Sequence, residues 1–368
     1  MERAAQEALV LPQLDGASVA GLIPALVGGR PAPWMPEPVR DARSVVLLVL
    51  DGLGANEIEA RPTVFKELGA MEGGPITTVA PSTTSTALTS IATGLAPAQH
   101  GVLGFRMLYN GEVLNVLRWQ SESRRAPDPF DVQRHDAFLG RAVPVVTRIE
   151  FRDSGFTEAH LRGANFIGWK TIATLIEHCR LLALAGEKLV YAYYPGVDEV
   201  AHAYGLRDTF YARELATADA LVGALLDALP SDTALLVTAD HGQVHLEPES
   251  WIEIDALHPL IAKQAGDGRF RYLHAQAGAA RDLLAAAHDQ LDDVAWVMSR
   301  KDVLDAGWIG TGATGTVPGR LGDVVLAARA PVAFVDPALP RERALRSAHG
   351  SLTADEMYVP LRAARGRA

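Results

Sequence analysis

SVVLLVLDG, residues 44–52, is the stretch from which the fold can be read. Ser44 to Leu50 is an unbroken apolar, β-branched run, the pattern of a strand buried on both faces of a parallel sheet. A strand with one wet face would alternate polar and apolar residues. The run ends in Asp51-Gly52. A carboxylate at the C-terminal end of such a strand stands in the crevice where open α/β sheets bind ligands, although Asp before Gly is equally the sequence of a plain turn. Two further runs repeat the plan. Lys188 to Pro195 (KLVYAYYP) leads into GVDEVAHAYG, where Asp198 and His202 are four apart and share a face if the segment is helical. Ala234 to Ala239 (ALLVTA) ends in Asp240-His241-Gly242. One such Asp/His pair alone is as readily a solvated surface pair or a capped turn. Three buried strands that each deliver an Asp, two of them with a nearby His, converge on a place that can bind a cation.

The segments between these strands carry helical spacing: Ala55 to Leu68 with a break at Pro62, Thr171 to Ala185, and Asp208 to Leu229. Val143 to Ile149 reads as another strand. This alternation predicts the α/β class, a doubly wound, mostly parallel central sheet flanked by helices. Residues 1–43, punctuated by Pro and Gly, are expected to wrap the domain edge, and residues 106–142 show no clear period. Residues 246–320 interrupt the rhythm, with strands at Arg269 to Ala275 and Val294 to Ser299 around a helix at Ala279 to Leu291. They are expected to form a small α+β cap insertion over a catalytic core of 1–245 and 321–368. The core is expected to resume at Gly322, with GDVVLAARAPVAFVD as an antiparallel pair near the sheet edge. Thr353 to Glu356 reads as a capping box opening a helix through Met357 to Leu361, and His349 lies in the loop ahead of it, where a ligand can be aimed.

Outward from the first strand, Thr78 to Gly94 (TVAPSTTSTALTSIATG) runs from the β-branched Ile76 to Val79 through the hydroxyls of residues 82–86. It then takes up helical spacing at Ala87, Leu88, Ile91 and Ala92. A hydroxyl is thereby set on the first turn of a helix, where free N–H groups and the positive end of the dipole favour phosphate. The same residues are ordinary N-caps. The company of the three Asp-bearing strands favours the functional reading.

Composition narrows the partners. With 368 residues, 48% of them hydrophobic, the chain can bury a large core, and its formal charge of −10 offers no global field for nucleic acid or anionic membrane. An anionic substrate must then be drawn by local charge, which a metal supplies. The only cysteine, Cys179, can form no intrachain disulfide and excludes a cysteine-based zinc site. The charged N-terminus lacks an uninterrupted apolar signal core, and the longest apolar run, Val45 to Leu50, is far short of a membrane span. A soluble, cytoplasmic protein is expected. Its partner would be a small substrate rather than a nucleic-acid polymer or a membrane, and a homodimer is left open.

VLDGLG, PSTTSTALTSIATGLAPAQHG, VDEVAHAYG, TADHG and AHGSLTADEMYVPL, in this order, resemble the alkaline-phosphatase superfamily and, within it, the type I phosphodiesterase/nucleotide pyrophosphatase family. The resemblance spans about residues 44–361, with the insertion poorly matched. It implies two divalent ions, zinc by the family pattern, one held by Asp51, Thr84, Asp240 and His241 and the other by Asp198, His202 and His349. It also implies hydrolysis of phosphate esters through a covalent phospho-threonine. Counting back from Thr93-Gly94-Leu95 selects Thr84 as nucleophile, with Thr83 next. Two cations about 4 Å apart suit phosphoryl transfer independently of the family, since they bind the attacking and leaving oxygens together. Where the family places a phosphate-binding Asn, this chain has Gly104, Phe105 and Arg106. Phe105 and Arg106 are therefore expected to touch substrate, Leu103 and Phe105 to receive an ester group, and His274 to reach the substrate from the insertion. The other histidines read as structural or surface residues. A phosphomonoesterase, a phosphonate hydrolase and a non-catalytic metal-dependent binding protein are the alternatives; a sulfatase lacks its C-x-P-x-R segment here.

Overall fold

All seven residues of the Ser44–Leu50 strand are buried, as the unbroken apolar run requires. The computed structural model describes residues 8–30, 32–123 and 125–368. Ser44–Leu50 lies in the middle of a seven-stranded sheet whose order is Glu72–Thr77, Tyr358–Arg365, Thr233–Thr238, Ser44–Leu50, Leu189–Tyr194, Pro144–Arg148, Asn165–Trp169. The five strands from Thr233–Thr238 to Asn165–Trp169 are parallel, and Tyr358–Arg365 runs antiparallel to both its neighbours. This is the expected doubly wound, mostly parallel sheet. Helices cover both faces because Leu189–Tyr194 and Thr233–Thr238 are also buried throughout and would otherwise expose apolar surface. Burying a Val or Leu side chain contributes about 1.5–3 kcal/mol, so the three central strands anchor the domain.

Ser18 bridges to Thr77, so the N-terminal segment does run along the sheet edge; residues 1–7 of the expected wrap lie outside the described residues. Residues 106–121, without period in the sequence, form a small three-stranded antiparallel sheet. Among the described residues no helix is long and apolar enough to cross a membrane.

Two expectations are corrected. Val324–Ala328 does not return to the main sheet. It pairs antiparallel with Phe270–Ala275 on one side and Ala295–Ser299 on the other, inside a four-stranded sheet that also includes Ile261–Asp267. Ala333–Phe334 pairs parallel with Trp251–Ile252. An apolar run announces a buried strand but not the sheet that buries it. Here Leu326, Leu273 and Val297 share a core with the helix Ala280–Leu291, so the strand of residues 324–328 lies past the expected cap limit at 320. The second correction concerns Met357 to Leu361. The helix Ala354–Met357 stops at once, and Tyr358–Arg365 is a strand of the main sheet containing Pro360, which a helix interior would not tolerate. The reciprocal capping box does not form: the Thr353 side chain accepts no helix N–H and donates its hydroxyl to Glu356, whose carboxylate also takes Arg269 in a bidentate pair at 2.8 Å, with the Arg269 and Glu356 side chains fully buried. Glu356 also accepts the Ser351 N–H, which ties the loop after His349 to the insertion.

Candidate metal centre

Parallel register places Leu50 opposite Tyr194 and Val49 opposite Thr238, so three neighbouring strands end at one level and deliver their next residues into one crevice. Asp51 follows the first strand. The helix Gly196–Tyr204 begins directly after the second, with Asp198 in its first turn and His202 one turn on. Asp240 and His241 follow the third. His349 arrives from the far end of the chain on Ser347–Ala348, which pairs antiparallel with Val244–His245, and a Ser82–Gly350 bridge holds its other side.

These residues form two groups whose donor atoms lie within 4.8 Å of one another: Asp51, Asp240 and His241, and Asp198, His202 and His349. His241 Nε2 is 3.4 Å from Asp51 Oδ1 and 3.5 Å from Asp240 Oδ2. His202 Nε2 is 3.3 Å, and His349 Nε2 3.8 Å, from Asp198 Oδ1. The rings of His241 and His349 stack at 3.6 Å, which joins the two groups. Thr84 opens the helix Thr84–Thr93, and its Oγ1 lies 3.1 Å from His241 Nε2. The Thr83 hydroxyl instead donates to Thr86 Oγ1 at 3.2 Å.

The donor set fits divalent cations. All three histidines direct Nδ1–H to a backbone carbonyl: His202 to Ser347 at 2.8 Å, His241 to Gly242 at 3.0 Å and His349 to Ser82 at 3.0 Å. Each tautomer is thereby fixed with the Nε2 lone pair aimed inward, the arrangement a metal-ligating imidazole requires. Asp51 Oδ1 and Asp240 Oδ2 are sealed from solvent without a donor among the described residues, a costly state for a carboxylate that nothing compensates. Burial, then the repulsion of Asp240 and Asp198, pushes the Asp51 carboxyl well above the usual range, and burial likewise raises Asp240. Burial and the neighbouring His241 and His202 push His349 well below the ordinary imidazole value. A bound cation favours the charged carboxylates and the neutral imidazole alike.

Supporting contacts come from residues the sequence did not single out as functional. Tyr193 donates its hydroxyl to Asp51 Oδ2, and Gln243 Nε2 donates to Asp198 Oδ1 at 3.0 Å while its Oε1 accepts from Ser347. Gly52 N–H donates to Asp240 Oδ1 at 3.1 Å. Gly52 has φ +75°, and a Cβ there would stand 2.4 Å from Gln243 Nε2 and 3.0 Å from the Asp198 Cβ, so this turn excludes any side chain.

The expected substrate residues separate. Phe105 lines a cavity of about 590 Å³ together with Thr84, Leu117, Trp251, Asp198 and His349. Arg106 is buried in an ion pair with Asp336 and stays out of that cavity. Asp336 approaches from beyond the insertion, and nothing near Arg106 in sequence announces it. Leu103 is buried in the core beneath, not at the crevice. His274 sits on the insertion sheet opposite Lys263, among Asp323, Arg300 and Lys263, lining neither cavity beside Thr84; burial lowers it to about 4. His100 bonds Ser90 at 2.9 Å beneath the Thr84–Thr93 helix, and His245 accepts from Leu206 N–H and faces Glu247.

The insertion contributes Asp267, which lines the same cavity and accepts the Phe105 N–H at 3.2 Å. Burial pushes its carboxyl up to about 7, against the Phe105 N–H and Arg271. An unfolded Asp ionises near 3.9. Between about pH 4 and 7 the folded state therefore holds a proton that the unfolded state does not. The stability this adds is full below pH 4 and is lost as pH rises to 7. With metal saturating throughout, the melting temperature of Asp267→Asn relative to wild type should climb from pH 5 to pH 8; parallel curves would remove the assignment.

The sequence model of the family described as type I phosphodiesterase / nucleotide pyrophosphatase matches residues 45–352. No curated protein matches the chain by sequence. Among solved structures it is similar to murine ectonucleotide pyrophosphatase/phosphodiesterase 5, with a TM-score of 0.68 at 14% identity over 86% of this chain and 87% of that one. The same murine protein, as an inactive threonine-to-alanine variant in complex with AMP, gives 0.67 at 14% identity and the same coverage. The human protein gives 0.63 at 14% identity over 87% of each chain. These likenesses establish a shared, alkaline-phosphatase-like fold.

Proposed function

The chain belongs to the type I phosphodiesterase/nucleotide pyrophosphatase family, hydrolases of phosphoric ester and pyrophosphate bonds, and on that premise we propose that it cleaves phosphodiesters through Thr84 at a two-zinc centre. Asp51, Asp240, His241 and Thr84 would hold one ion, and Asp198, His202 and His349 the other. When bound, such ions neutralise the phosphoryl charge and stabilise the attacking and leaving oxygens. Thr84 Oγ attacks phosphorus in line, the phosphorus–ester oxygen bond breaks, and the Thr84 proton leaves with the departing alcohol. Water then displaces Thr84 from the phospho-threonine in a second in-line step. The Thr84–Thr93 helix aims its free N-terminal N–H groups at the anion.

The observation that carries the diester reading is that two cavities meet at the nucleophile. The larger one, about 590 Å³, and a smaller, more apolar one of about 240 Å³ both include Thr84, Leu117 and Asp198 in their walls. A phosphorus at Thr84 thus finds room for two substituents. Thr83, Ser85, Thr86 and Ala87 beside the nucleophile carry no charge, Arg106 is committed to Asp336, and Arg118 and Arg341 reach the larger cavity only from its exposed rim. Among the described residues no Lys or Arg other than Arg118 and Arg341 lines either cavity, which leaves little fixed positive charge to favour a dianionic monoester. The AMP complex of the murine relative supports a nucleotide as one substituent. For bis(p-nitrophenyl) phosphate kcat/KM should exceed that for p-nitrophenyl phosphate by roughly tenfold or more, about 1.4 kcal/mol in transition-state binding. A clear preference for the monoester would replace this reading with a phosphatase.

A further inference from the structure

His160 stands in the wall of the smaller cavity beside Leu88, Leu161, Phe151 and Tyr191, on the same side of Thr84. Its Nδ1 is 2.7 Å from the Phe156 carbonyl oxygen, which can only accept, so Nδ1 carries the proton. Burial lowers its pKa to about 4, so the ring is neutral and Nε2 keeps a lone pair. The Phe156 ring stacks on it at 4.0 Å and 15°, which fixes its plane. Among the described residues Nε2 has no hydrogen-bond partner, and it is not among the atoms sealed from solvent.

We propose that His160 Nε2 is the acceptor that selects, among substituents entering the smaller cavity, a flat ring bearing an N–H or O–H donor. The inference rests on the phosphodiesterase reading for what brings such a ring there. Set among Leu88, Phe151, Phe156 and Leu161, a lone pair fixed in this way favours a ring whose donor meets it. A ring without a donor is disfavoured, because it shuts the acceptor off from water and leaves it unpaired.

The test is calorimetric titration of the metal-loaded protein with AMP and with its 6-deamino analogue, purine riboside 5′-monophosphate, which lacks only the exocyclic amine. AMP should bind roughly fivefold more tightly to the wild type, the effect of one uncharged hydrogen bond. In His160→Phe, which keeps a flat stacked ring but no acceptor, the two affinities should converge. Equal affinities in the wild type, or an undiminished ratio in the variant, would overturn the proposal; the first outcome does so even if the variant fails to fold. Turnover of bis(p-nitrophenyl) phosphate is measured alongside. Its absence counts against the phosphodiesterase reading, while the affinity ratio still decides the role of His160.

Discussion

Thr84→Ala should lower turnover of a chromogenic diester by roughly three orders of magnitude or more, because removing a covalent nucleophile closes the route rather than slowing one step. The fold should survive. Thr84 is the first residue of its helix, and Thr83, in an extended conformation before it, is left as it was. Most of the metal should also survive, since Asp51, Asp240 and His241 still converge without the hydroxyl. Thr83→Ala should change turnover by no more than about threefold, because that hydroxyl is turned to Thr86. Reversal of the two outcomes would move the nucleophile by one residue. Wild-type rates in both variants would remove it.

Chelation should abolish turnover and lower stability together. Each ion held at about a hundred times its Kd adds roughly 2.7 kcal/mol to the folded state, so losing two removes about 5 kcal/mol. The loss also leaves Asp51 and Asp240 buried and uncompensated, so the metal-free protein should weaken further as pH rises and these carboxyls are forced to ionise. Elemental analysis should find about two divalent ions per chain, and resupplied zinc should restore both rate and melting temperature. Full activity in a preparation shown to be metal-free would end the account.

Asp51, Asp198 and Asp240 were legible as the residues at or just past the ends of buried strands, while the division into two ligand sets, with Thr84 and His349, came from the family resemblance. A parallel strand buried on both faces must end at the sheet's C-terminal edge, and three of them adjacent in space end together. That adjacency is the one thing the sequence did not show; the 44–50 strand lies between 189–194 and 233–238 through pairings across more than 140 residues. Asp267 and the aromatic wall of Phe151 and Phe156 were not legible, since each reaches the crevice from a segment whose local pattern is unremarkable, and Gln243, next to a quoted motif, was passed over because an amide carries no ligand signal. Arg106 was misread for the same reason: its partner Asp336 is 230 residues away. The run at 322–335 shows the limit of apolar pattern, which fixes burial and leaves the choice of sheet to tertiary contacts.

The central claim is that Thr84 becomes phosphorylated in each turnover, and stereochemistry at phosphorus tests it most directly. A single diastereomer of a p-nitrophenyl nucleoside phosphorothioate, hydrolysed by the zinc-loaded protein in ¹⁸O-labelled water, should give product with retained configuration, because two in-line displacements each invert it. Inversion would mean that water attacks the substrate directly, and would contradict the covalent route through Thr84.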